Sequence, residues 1–182
     1  MNKLNFINTI APIKSDVIKK LNAGDIVFLT GRIFIFRDQA HVKALKFAGE
    51  LPFSLKGEII WHCGPIMKKE EDGRWKAVSA GSTTSWKMND IEPLAMDKLG
   101  FNVVIGKGGL NRKNADYMKK HGCCYLSTLG GCAVILAEAI KEIKNVYWMD
   151  ELGDTEAVWE IGVKDFGPLI VGIDAKGNSL YE

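Results

Sequence analysis

Short apolar runs alternate with helical stretches that stop at glycine, and that alternation leaves few folds open. Ile91 to Leu99 reads as a helix halted by Gly100. Phe101 to Ile105 follows as a strand, then Asn111 to His121 as a polar helix halted by Gly122. Cys123 to Leu126 is strand-like, and Leu129-Gly130-Gly131 leads into an expected helix from Cys132 to Ile143. Upstream, Ile59 to Cys63 is a short buried strand closed by Gly64-Pro65. Asp72-Gly73, inside the charged stretch Lys68 to Lys76, marks a hairpin turn whose partner strand is Trp75 to Val78. Val146 to Met149, Val158 to Val163 and Leu169 to Ile173 add strands before the turn at 175–178. The pattern predicts one α/β domain, a mixed sheet with flanking helices, with a hairpin half and an α/β half. With 182 residues, one domain has a full core; residues 1–22 form a lead-in, with a short helix at Ser15 to Leu21 capped by Ser15 or Asp16.

Near the N-terminus, Val27 to Leu29 and Ile33 to Phe36 are strand-like, interrupted by Thr30-Gly31-Arg32. Asp38 is a good N-cap, and Ala40, Ala44, Leu45 and Ala48 fall on one stripe after it. That places Arg37 and Asp38 at a strand-to-helix junction, where free backbone N–H groups suit an anion.

Composition removes several classes. Apolar residues are 47% and charged residues 25%, neither disordered nor membrane-like. No apolar run approaches the ~20 residues a bilayer needs. The N-terminus carries Lys3 and Lys14 but no apolar run followed by a small-residue cleavage site, so no signal peptide is expected and the chain reads as cytoplasmic. A net charge of +2, with both signs dispersed, gives no argument for nucleic acid. The cysteines, Cys63, Cys123, Cys124 and Cys132, form no CxxC pair and no zinc-finger spacing, so none is assigned to a metal. They read as small buried hydrophobes in a reducing compartment. Adjacent Cys123 and Cys124 should point to opposite faces of a strand.

Chemistry concentrates in three loops. From Ser79 to Ser85 every residue is Ser, Ala, Gly or Thr, and Trp86-Lys87 follows. Such a stretch cannot be a core strand and lets the backbone approach something small at Gly81. Gly31 to His41 ends in Arg37-Asp38-Gln39-Ala40-His41, and Gly106-Lys107-Gly108-Gly109 follows a strand. Arg37, Lys87 and Lys107 are cations beside special loops, and Thr83 and Thr84 add hydroxyls. A dicarboxylate needs about two cationic partners, because a desolvated carboxylate left unpaired is costly. Against this stands the ordinary reading of each cation as a solvated surface residue. His41 is open between catalysis and a hydrogen-bonded helix position, and His62 reads as structural. His121 suits a helix C-terminus. The acidic run 150–156 reads as a solvated loop. Gly130-Gly131 lacks the spacing of a nucleotide-binding loop.

In this order, Arg37-Asp38-x-Ala40-His41, Gly64-Pro65, Ser79-Ala80-Gly81-x-Thr83-Thr84-Ser85 with Met88, and Gly106-Lys107-Gly108-Gly109 resemble the beta subunit of class I fumarate hydratase. The related L(+)-tartrate dehydratase beta subunit shares them. The likeness runs from about Gly24 to the end and includes Val158-Trp159 and 165–178. It implies the swivelling β/β/α fold and a hydro-lyase that interconverts a 2-hydroxy dicarboxylate and its alkene. It also implies a [4Fe–4S] cluster held by a separate alpha subunit, its unique iron acting as Lewis acid. By motif position, the resemblance gives Arg37 a substrate carboxylate, Thr83 the C3 proton and Lys107 a place in the site. Lys87 stands where the family usually has arginine, and Ser82 where it has proline. The first loses a bidentate fork and the second is expected to loosen the loop. Fumarate/malate, tartrate/oxaloacetate and mesaconate/citramalate all remain open as substrate pairs, as does a dicarboxylate-binding or assembly module without turnover.

Overall fold

The computed structural model describes residues 5–181; residues 1–4, which open the lead-in and include Lys3, and residue 182 lie outside the described residues. In chain order the elements are β1 (Phe6–Ala11), α1 (Ser15–Ile18), β2 (Ile26–Ile35), α2 (Asp38–Lys46) and β3 (Ile59–Trp61). Then come β4 (Cys63–Lys69), β5 (Trp75–Ser82), a 3₁₀ turn at Ser85–Met88, α3 (Glu92–Leu99), β6 (Val103–Gly106) and α4 (Arg112–His121). The last are β7 (Cys124–Ser127), α5 (Ala133–Glu138), β8 (Ile140–Tyr147), α6 (Met149–Leu152) and β9 (Val158–Ile173).

Parallel pairing runs β2–β3–β6–β7. The long β9 then pairs antiparallel with both β7 and β2 and closes the ladder into a ring. β1 adds in parallel to β2, β8 antiparallel to β9, and β4–β5 forms a separate hairpin. This mixed sheet with flanking helices is the α/β architecture that the alternation predicts, of the swivelling β/β/α kind.

The central strands β3, β6 and β7 read as near-continuous apolar runs because both their faces are buried. One cluster takes Ile59, Trp61, Val103, Ile105, Cys124 and Leu126; the alternate positions Ile60, Val104, Cys123 and Tyr125 pack in a second cluster with Ala40, Ala44, Met96 and Met118 of the helices. Cys123 and Cys124 do face opposite ways. Burying each such Ile, Val or Leu side chain stabilises by about 1.5–3 kcal/mol, so the two-sided core fixes register firmly.

Local signals held where the cause was local. Gly100 and Gly122 end α3 and α4 with φ of 82° and 71°, the left-handed turn that glycine adopts without strain. Asn111 caps α4, its side chain accepting from the Asn114 N–H. Asp72-Gly73 turns the β4–β5 hairpin.

Several expectations give way. α1 has Lys14 at its N-cap position, not Ser15 or Asp16, and ends at Ile18. β2 does not break at 30–32: Gly31, at φ 132°, keeps the strand continuous because the Ala11 backbone lies against it, where a Cβ would collide. Gly64-Pro65 does not close a strand but lies inside β4. Ser79 to Ser82, read as loop, extends β5. The predicted helix Cys132 to Ile143 stops at Glu138, and 140–147 turns into β8 because β9 offers it a partner edge. The strand read at Val146 to Met149 is the end of β8 plus α6, and the two late strands are one, β9.

Candidate active site

The parallel strands deliver their chemistry at one end. Arg37 follows β2, His62 follows β3, Lys107 follows β6 and Thr128 follows β7. Ligands of α/β folds commonly sit outside the carboxyl ends of parallel strands, in barrels as in open sheets. Thr83, just past β5, is tied to this edge: its N–H donates to the His62 carbonyl at 2.8 Å. Ser85 N–H donates to the Lys107 carbonyl at 2.9 Å, and Thr84 bridges to Lys107 in parallel. Arg37, Asp38, His62, Thr83, Thr84, Lys87 and Met88 line one small cavity of about 40 Å³. Most of the residues that the sequence singles out therefore do converge.

Gly81, Lys107 and His41 stand apart from the cavity wall. Gly81 faces α5, where a Cβ would come within 3.3 Å of Ala133. Lys107 points toward the β7–α5 connection, its Cδ 3.7 Å from where a Cβ on Gly130 would lie. The glycines around Lys107 also have other reasons. A Cβ on Gly106 would fall on Ser85 Oγ, and one on Gly109 would strike the Tyr181 ring. His41 is fully buried behind the site rather than at its surface.

Arg37 is aimed by carboxylates. Its Nε donates to Glu156 Oε1 at 3.0 Å and to Asp38 Oδ1 at 3.1 Å. Gly64 leaves room for the guanidinium, since a Cβ there would sit 2.9 Å from a terminal nitrogen. Glu156 Oε2 also accepts from the Gln39 N–H at 3.0 Å. The acidic loop is thus no mere solvated loop, and that helix-start N–H already serves a protein carboxylate rather than a ligand. Asp38 is not the N-cap; that position is Arg37, and Asp38 lies in the first turn.

Ser82 does not loosen its loop. It pairs with Cys63 across the hairpin, and its hydroxyl accepts from the Trp61 indole N–H at 2.6 Å. A buried Trp needs such a partner.

Behind the cavity, sequence reasoning missed a buried group. Glu92, in the first turn of α3, places Oε2 3.3 Å from His62 Nε2 and 3.6 Å from His41 Nε2. His41 Nδ1 lies 2.9 Å from the Arg37 carbonyl. His62 Nδ1 lies 3.0 Å from Ser85 Oγ, which also accepts from the Tyr125 hydroxyl at 3.0 Å. Burial pushes the Glu92 carboxyl up, but the neighbouring His62 and His41 outweigh it and hold it below the usual carboxylate range. Burial pushes the Tyr125 hydroxyl up, so it stays a neutral donor. The only sequence sign was a glutamate at the start of an otherwise apolar helix face.

The cysteines do not fit an iron–sulfur cluster. Cys63, Cys123 and Cys124 are buried, and burial raises each thiol, that of Cys123 to about 11, although Arg37 pulls Cys63 partly back. A cluster needs grouped thiolates, and among the described residues no cysteine belongs to any convergent set of metal-ligating side chains. Among the described residues, no helix is long and apolar enough to cross a membrane.

Cations and hydroxyls gather at one end of the strands of an α/β fold, and the chain is of the hydro-lyase class. The chain belongs to the family described as Fumarase C-terminus, whose model matches residues 2–182. It is 49% identical over 172 residues to a Methanocaldococcus jannaschii protein provisionally named L(+)-tartrate dehydratase subunit beta, covering 93% of this chain and 87% of that one. It is 38% identical over 169 residues to the L(+)-tartrate dehydratase subunit beta of Escherichia coli K12, covering 93% and 83%. A Geobacillus stearothermophilus protein provisionally named fumarate hydratase class I is 40% identical over 172 residues, covering 94% of this chain and 33% of that longer one.

Proposed function

We propose that this chain is the beta subunit of a two-subunit, cytoplasmic iron–sulfur hydro-lyase that reversibly hydrates fumarate to malate and turns over only with its alpha subunit. The carrying observation is the cavity lined by Arg37, Thr83, Thr84 and Lys87, whose volume is about 40 Å³. That is room for about one water molecule, whereas ligand pockets run to several hundred Å³ (~300 or more). It is one wall of a site, and a second chain supplies the other. The family resemblance assigns a [4Fe–4S] cluster to that second chain, and the ungrouped cysteines here are consistent with it.

On this wall the roles are those that the family resemblance implies, and the placement of Arg37, Thr83, Thr84 and Lys87 around one cavity supports them. Arg37, aimed by Glu156 and Asp38, takes one substrate carboxylate, and Lys87 the other as a point charge. Thr84 offers a further hydroxyl to the carboxylates. Hydration adds hydroxide to one alkene carbon and a proton to its neighbour. Thr83 handles that proton; Lys107, whose side chain runs toward the β7–α5 connection, would have to turn back toward Thr83 to supply the cationic field that favours its alkoxide form. Thr83→Ala in the assembled enzyme is expected to lower kcat at least a hundredfold; full kcat in that variant removes Thr83 from proton transfer.

A second reading is L(+)-tartrate dehydration, favoured by the names of the M. jannaschii and E. coli relatives. Tartrate carries one more hydroxyl than malate, and the compact Lys87 ammonium leaves space that an arginine fork would fill. Parallel assays with fumarate, L(+)-tartrate and mesaconate decide the substrate. If tartrate alone is turned over, Lys87→Arg is the first variant to test for a shift toward fumarate. An intact complex that turns over none of the three leaves the chain as a binding or assembly module.

A further inference from the structure

The four inward polar atoms of the buried group behind the cavity, His41 Nε2, His62 Nε2 and both Glu92 oxygens, have no hydrogen-bond partner among the described residues. All three side chains are at most 2% exposed. Leaving so many buried polar atoms unsatisfied is costly, and such a set calls for an occupant. We propose that His41, His62 and Glu92 bind a divalent transition-metal ion of the zinc class, independently of the hydro-lyase reading.

Three occupants can be compared by distance. A direct imidazolium–carboxylate pair would close to about 2.7–2.9 Å; the observed separations are 3.3 and 3.6 Å. A bridging water sits ~2.8 Å from each partner, which at tetrahedral angles spreads the partners to roughly 4.5 Å. Ligands bound to zinc at about 2.0–2.1 Å in a tetrahedron are separated by roughly 3.3–3.4 Å. The ligand atoms, one from each residue, all lie within 4.8 Å of one another; the 3.3 Å edge from His62 matches the metal, and the 3.6 Å edge from His41 is slightly longer but nearer to the metal spacing than to that of a bridging water.

The outer nitrogens agree. A carbonyl only accepts, so His41 Nδ1 carries a proton toward Arg37 O; in the neutral ring that a bound ion would favour over the imidazolium, the Nε2 lone pair faces inward. With its proton on Nδ1, His62 donates to Ser85 Oγ and presents Nε2 in the same way. Metal-bound histidines are usually oriented by such a bond on the other nitrogen. Two imidazoles and one carboxylate suit zinc better than calcium or magnesium, which prefer oxygen ligands. The sequence hides the set because residues 41, 62 and 92 come from α2, the end of β3 and α3, with no shared spacing.

The ion would pin together the segments that carry the anion site. His41 holds the Arg37 backbone, and His62 holds Thr83 through its carbonyl. Its role is positioning.

The test uses tag-free full chain, expressed with added zinc or cobalt, with metal measured by mass spectrometry. One equivalent per chain is expected, with the visible ligand-field bands of four-coordinate cobalt(II). Glu92→Gln and His41→Gln should each lose the metal and the bands, while Cys132→Ser keeps both. Because a variant could fail to fold, the unaltered chain is also unfolded with chelator and refolded with and without zinc. Zinc should raise its Tm by several degrees. Substoichiometric metal with a zinc-independent Tm overturns the proposal. Metal retained in a folded Glu92→Gln protein, or lost in Cys132→Ser, assigns the binding elsewhere and overturns it equally.

Discussion

Glu156 shows how much one side chain decides here. It lies in a loop that composition marks as solvated, yet one of its oxygens aims Arg37 and the other holds the Gln39 N–H. Its side chain is 18% exposed, so the pair is only partly screened. Glu156→Gln should leave the fold intact and raise KM for the dicarboxylate about tenfold, with kcat nearly unchanged, as expected when ground and transition states lose the same contact. Steady-state kinetics of the complex check this; an unchanged KM means Arg37 is positioned without it. Gly106 is the converse case, where the absence of a side chain matters. Its space holds Ser85 Oγ, so Gly106→Ala should cost about 1–3 kcal/mol through overpacking, read as a lower urea midpoint. Thr83, Thr84 and Lys87 could be singled out because they lie in or just after a run of small residues, and Arg37 because it follows a strand; the structure brings the four to one cavity. His62, Ser85 and Glu92 were not, because each looks ordinary until the fold brings them to one point.

At the scale of elements, local signals survived and long-range ones did not. α3 and α4 were readable from capping residues that act within a few positions. β8 was not, because its Ile140 and Ile143 continue the apolar period of α5 and only pairing with β9 makes them a strand. The β2 break was misread for a similar reason: Gly31 is required by the Ala11 backbone beside it, which the local sequence does not mention. The turn after β9 depends on Asp174. Its carboxylate accepts from Lys176 N at 2.9 Å, Asn178 N at 3.0 Å, Asn178 Nδ2 at 2.8 Å and Ala23 N at 3.2 Å. Desolvation works to raise its pKa, but the Asn178, Ala23 and Lys176 donors outweigh it and hold it below the usual value. The depressed folded-state pKa means that its stabilisation is complete above the unfolded value of about 3.9 and is lost as pH falls through the folded value. Asp174→Asn should therefore cost about 1–3 kcal/mol at neutral pH, and the gap to the unaltered chain should shrink below about pH 4. Urea titrations across that range test it; a gap independent of pH would mean the charge contributes nothing.

For the whole molecule, the ring of strands gathers one edge of special residues around a cavity of about 40 Å³. A larger groove of about 520 Å³ lies elsewhere, between the β4–β5 hairpin and α5–β8, and contains none of the site residues. Trp86 stands 60% exposed next to the cavity, whereas Trp61 and Trp159 are buried. Binding of the alpha subunit over this wall should shift tryptophan emission to the blue, and Trp86→Phe should remove most of that shift. An undiminished shift in the variant would place the partner on another face. The central claim is that this chain is half of a dicarboxylate hydro-lyase site. The most direct measurement is anaerobic co-expression with the alpha subunit, followed by absorbance assay of fumarate consumption by each chain and by the complex. Turnover by the complex alone, abolished by oxygen and by Arg37→Ala, is the predicted result. Equal turnover by either chain alone, or by the complex carrying Arg37→Ala, would contradict the account.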